Sequence, residues 1–93
     1  MKFIMTFNWT PNAQKRAEGI ARFQKTGGLP PEGVRLLGRW TKADLSGGFD
    51  IQETEDSKKL IEFAYMCGDL MDLSVFSVLE DNELSEALQN AMK

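Results

Sequence analysis

The chain has no histidine and a single cysteine, Cys67. The first absence removes the commonest general base and metal ligand, and with it haem ligation by histidine, a Ser-His-Asp triad and most zinc sites. The second leaves no internal disulfide framework and no Cys-x-x-Cys redox pair. Also missing is any apolar run near the ~18 residues that span a bilayer, and the opening MKFIMTFNW lacks the length and small-residue cleavage site of a signal peptide. The expectation is a cytoplasmic protein with no membrane partner. No phosphate-binding loop is present, and the acids at Asp69/Asp72 and Glu80/Asp81/Glu83 lack metal-site spacing. No metal and no cofactor is expected.

What is present is a single domain of 93 residues, 42% hydrophobic and 27% charged, as in ordinary globular chains. A chain this short buries only about 60–65% of the surface its unfolded form exposes. Two sheet faces and several helices cannot all be covered by so little chain, so a homodimer is expected. The net charge of −3 conceals an asymmetry: residues 1–42 hold eight Lys/Arg and two acids, residues 43–93 three and twelve. In interleaved halves of one sheet, such a split reads as complementarity within the molecule or across a dimer, not as a nucleic-acid surface.

The pattern is organised around GVRLLGRWTKADLSGGFDIQE, residues 33–53, which reads as two strands joined by a turn at Asp44 to Gly48. Before it, Lys2 to Asn8 alternates Phe3, Met5 and Phe7 against Ile4 and Thr6, a strand apolar on both faces and so placed mid-sheet. Thr10-Pro11 reads as a helix start and Gly27-Gly28 as its stop, with Ala13, Ala17, Ile20 and Phe23 as the apolar stripe. Gly38 within the second strand marks a bulge or close approach. In the third strand Phe49 and Ile51 share one face, and Asp50 and Gln52 make an unusual polar one. A helix from about Asp56 to Cys67 or Gly68 follows, then a strand over Leu73 to Leu79. Leu84, Leu88 and Ala91 or Met92 give a short terminal helix. The order is βαββαβ, an α+β ferredoxin-like sheet with helices on one face and a C-terminal helix.

The runs KFIMTFNW, ARFQKTGGLPPEGVRLLGRW, SGGFDIQE and DLMDLSVFSVLED together resemble the DUF3303 family over almost the whole chain. That family is similar in build to the dimeric α+β barrel group, in which two ferredoxin-like protomers press their open sheet faces together. The resemblance implies the fold and little function, since the group includes cofactor-independent monooxygenases, isomerases, haem-handling enzymes and proteins with no assigned activity. Members often carry a histidine after the tryptophan of the GRW run. Thr41 stands there in this chain, so no role of that histidine carries over.

Arg35, Arg39 and Trp40, with Asp50 and Gln52 from the next strand, form the leading candidate cluster. Paired strands bring side chains of one face within about 4.5–8 Å, close enough to bind an anionic or hydroxylated small molecule. Arg39 and Trp40 alternate oppositely, so one pocket using both needs the Gly38 irregularity or a strand end. The plainer reading is that Arg39 pairs with Asp50 or Glu53 and that Trp40 is core or interface. Trp9, Trp40, Phe49 and Tyr65 are candidates for an apolar lining, Tyr65 being favoured because a buried hydroxyl needs a partner. Cys67 at a stripe position reads as a small core hydrophobe. SGGFDIQE departs from the RNA-recognition strand signature by lacking the basic first residue and the second aromatic.

These readings give ligand-binding candidates Arg39, Trp40, Asp50 and Tyr65. The function expected is a dimeric protein binding a small apolar or amphipathic molecule. The alternatives are a cofactor-independent monooxygenase- or isomerase-like enzyme and a purely structural module.

Overall fold

The computed structural model describes residues 1–9 and 12–93. The helix start assigned to Thr10-Pro11 lies outside the described residues. The elements run β1 (Lys2–Trp9), α1 (Ala13–Thr26), β2 (Arg35–Thr41), β3 (Gly47–Glu53), α2 (Lys58–Cys67), β4 (Met71–Val78) and α3 (Asp81–Ala91). The strands form one antiparallel sheet of order β2-β3-β1-β4, the ferredoxin-like arrangement.

Helix α1 begins at Asn12, whose side chain accepts from the N–H groups of Gln14 and Lys15 at 2.9 and 3.1 Å. It ends at Gly27, where φ is +73° and the N–H donates to the Phe23 carbonyl. Of its sequence stripe only Phe23 reaches inward, its ring lying against Arg39 while the side chain stays 48% exposed. Gly19 is buried, a Cβ there would overlap the Trp9 ring, and Arg16 is half-buried, whereas Ala13, Ala17 and Ile20 remain exposed. The missing side chain at Gly19 lets α1 rest on Trp9, with the helix turned so that most of its apolar stripe faces outward.

The small core lies between β1 and α2: Phe3, Met5 and Phe7 meet Leu60 and Phe63, with Leu70 closing the α2–β4 turn. On the other side of the sheet the ladders align Ile4 with Ile51 and Phe76, and Thr6 with Phe49 and Ser74. Trp40 stacks on Phe49 at 5.2 Å and 26°. Among the described residues no helix covers this open face, where Trp40, Phe49 and Phe76 are all exposed.

Every residue of α3 and the tail is exposed, including Leu84, Leu88 and Met92. Only its entry is anchored: Lys2 donates to Glu80 and is ion-paired with it, and Glu80 and Glu83 form a reciprocal capping box. The helix therefore projects from the body, and the principal extents are 54 × 28 × 18 Å. The surface of 6631 Å² compares with ~5,400 Å² for a compact monomer of this mass. The radius of gyration of 15.4 Å likewise exceeds the ~12 Å of a compact chain of this length.

Candidate functional site

The β2–β3 register contains a bulge between Leu36 and Gly38. Leu36 lies opposite Gln52 and Arg39 opposite Asp50, both on the helix side, while Gly38 and Trp40 lie opposite Ile51 and Phe49 on the open side. The polar face of β3 is thus the inward one, and Asp50 and Gln52 are 2% and 0% exposed.

Burial of a carboxylate and an amide demands partners. Arg39 supplies most of them: its Nε and Nη2 donate to Asp50 Oδ2 at 3.3 and 3.2 Å, and Nη2 also donates to the Gly28 carbonyl at 2.6 Å. Gln52 Nε2 donates to the same Asp50 oxygen at 3.3 Å and to Met5 Sδ at 3.6 Å. The Arg39 guanidinium lies 5.7 Å from the centre of the Phe23 ring. Gly28 permits this close packing: its φ is +63°, and a Cβ would come within 2.5 Å of Arg39 Nη1.

Among the described residues three buried side-chain polar atoms have no hydrogen-bond partner: Asp50 Oδ1, Gln52 Oε1 and Arg16 Nε. Two are acceptors on adjacent inward positions of β3, a pair suited to a ligand carrying O–H or N–H donors. Burial pushes the Asp50 carboxyl above the usual carboxylate range, against the opposing pull of the Arg39 charge and the hydrogen bonds from Arg39 and Gln52. Burial likewise pushes the Cys67 thiol up, so it is no activated nucleophile.

Of the sequence-derived candidates, Arg39 and Asp50 come together beneath the helices. Trp40 sits on the opposite side of the sheet, stacked on Phe49 and 54% exposed. Tyr65, on α2, is 88% exposed and joins neither group. Arg35 pairs with Glu53 at 3.7 Å. The sequence does not announce the Gly28 carbonyl or the Phe23 ring as neighbours of Arg39, since Gly27-Gly28 reads as a helix stop and Phe23 as a helix-stripe residue. A shallow pocket of about 310 Å³ opens at Gly33, Val34, Arg35 and Glu53 to Glu55, and a larger one of about 500 Å³ lies along Phe3, Leu60, Ile61, Val75 and Phe76. Neither contains the Arg39–Asp50 pair. Among the described residues no acidic or cysteine cluster has metal-binding geometry, and no helix is long and apolar enough to cross a membrane.

The fold defines an α+β protein of ferredoxin-like build. The family model described as "Domain of unknown function (DUF3303)" matches residues 1–92, and the chain belongs to that family. No curated protein matches. Among solved structures the chain is similar to Rv0793 from Mycobacterium tuberculosis, with TM-score 0.53 and 13% identity over 87% of this chain and 98% of that one. At that identity the likeness concerns the fold alone.

Proposed function

We propose that the protein is a homodimer that binds a small amphipathic molecule on the helix side of each sheet. The ligand's hydroxyl or N–H donors lie on Asp50 Oδ1 and Gln52 Oε1, atoms closed to solvent in the protomer, so that binding requires the half-exposed Phe23 side chain to move aside and pack on the ligand's apolar part. The observation that carries this reading is the pair of buried, unpartnered acceptors next to an arginine already held on three sides. Leaving such acceptors unmatched costs about 1–3 kcal/mol each, and a donor-bearing ligand removes that cost. The dimer is supported by the uncovered apolar face at Trp40, Phe49 and Phe76 and by the excess surface of the single chain.

The test is a thermal-shift panel of phenols, quinones and small hydroxy acids on the wild type and on Asp50→Asn and Gln52→Leu variants. A ligand at about 100 times its dissociation constant stabilises by about 2.7 kcal/mol. The reading expects such a shift for donor-bearing compounds in the wild type and its loss in both variants. If no compound shifts the wild type, or if the variants respond equally, the buried cluster is a structural pairing and the protein an assembly module without a ligand.

A further inference from the structure

Two features of the chain are left exposed on the protomer, and they match. Helix α3 has 11 residues, a length at which an isolated helix is marginal in water, so its Leu84, Leu88 and Met92 stripe needs packing that its own body does not provide. Edge strand β2 presents Leu37 and Trp40, both exposed, together with the cations Arg35 and Lys42 at its two ends. The acids Asp81, Glu83 and Glu86 lie along α3, and all are exposed. Its own neighbour strand, β4, is the opposite edge of the sheet and carries Asp72, so the acidic helix has no complementary surface there.

We infer that α3 is an exchanged arm: in the dimer it leaves its own protomer and lies along the β2 edge of the second copy. There Leu84 and Leu88 cover Leu37 and Trp40, and the arm's acids face Arg35 and Lys42. The occupant is a second copy because both halves of the contact are on this one chain: an acidic arm whose Leu84 and Leu88 pack on nothing of its own, and a β2 edge that exposes Leu37, Trp40 and Lys42 beside Arg35, itself 76% exposed in its 3.7 Å pair with Glu53. The protomer exposes ~1,200 Å² more than a compact chain of its mass, enough surface to supply the ~800 Å² per partner of an ordinary stable interface. The contact also shields the backbone of an exposed edge strand from unwanted pairing. This inference rests on the homodimer proposed above.

The experiment uses the full chain. Leu84→Asp/Leu88→Asp cannot disturb the protomer's core, because neither side chain packs on it. Sedimentation equilibrium is expected to show a dimer dissociation constant raised about a hundredfold, with helical signal lost as the freed arm unwinds. In a Cys67→Ser background, chains carrying Leu88→Cys are mixed with chains carrying Leu37→Cys and oxidised, and a mixed disulfide dimer is expected. A wild type that is monomeric at micromolar concentration overturns the dimer and the arm together. A dimer whose affinity the double aspartate leaves unchanged, or one that gives no mixed disulfide, overturns the arm alone.

Discussion

Arg39 and Asp50 face each other across the β2–β3 ladder, Nη2 to Oδ2 at 3.2 Å, with side chains 18% and 2% exposed. The pair is bordered by the Gly28 carbonyl and the Phe23 ring, so the nearly buried Asp50 carboxylate depends on Arg39 and not on water for its partners.

Arg39→Met is therefore expected to cost about 3–5 kcal/mol in urea unfolding, because it strands a buried carboxylate. Arg39→Lys keeps the charge but loses the planar fork that reaches Asp50 and Gly28 together, for about 1–2 kcal/mol. Arg39→Met/Asp50→Leu, which removes both charges, is expected to recover most of the first loss.

The pH dependence of stability follows from Asp50. Its carboxyl is raised above its unfolded value by burial, so between the two values the native state holds more protons than the unfolded one. That group's contribution declines as pH rises from the unfolded value through the folded one, and is most favourable below both. Relative to Asp50→Asn, the wild type is expected to gain stability as pH falls from neutral into the mildly acidic range. Urea midpoints of both proteins across that range test the sign. A difference that moves the other way removes the burial account of Asp50.

Gly27 and Gly28 both have positive φ, +73° and +63°, but only Gly28 is crowded. A Cβ at Gly27 finds its nearest neighbour, Leu29 Cγ, at 3.8 Å, while one at Gly28 meets Arg39 Nη1 at 2.5 Å and the Phe23 ring at 2.7 Å. Gly27→Ala is expected to cost about 1 kcal/mol from backbone strain, and Gly28→Ala about 2–3 kcal/mol from strain plus displacement of Arg39. Thermal unfolding of the two variants side by side gives the comparison.

Phe76 lies on the open face, half exposed in the protomer. Phe76→Asp is expected to raise the dissociation constant of the proposed dimer at least tenfold while costing the monomer about 1 kcal/mol through the lost pairing with Ile4. Sedimentation and unfolding of the diluted protein separate the two effects.

The element order and the two-sided character of β1 are legible in the sequence because alternation and turn residues act locally. The polar face at Asp50 and Gln52 is equally visible there, but not its direction, since alternation separates two faces without saying which one the helices will cover. The bulge after Leu36 is announced by Gly38, although the glycine does not say that Leu36 turns inward with Arg39. The rotation of α1 is hidden for a different reason. The stripe at Ala13, Ala17, Ile20 and Phe23 offers little area apart from Phe23, and its spacing does not announce that Gly19 is where the helix meets Trp9. Tyr65 illustrates the same limit: α2 is apolar over more than one side, and periodicity alone does not choose the side that points away from the sheet. The helix at α3 is announced by its spacing, whereas its projection from the body is a property of the assembled chain.

Beyond the irregularity at Leu36–Gly38 the strand alternates regularly, and two consecutive residues, Arg39 and Trp40, point to its opposite sides. A single peptide unit is then the partition between the chamber under the helices and the outer wall. If the proposed guest at Arg39 alters contact at Trp40, thermodynamic reciprocity requires that contact at Trp40 alter the guest's affinity by the same factor.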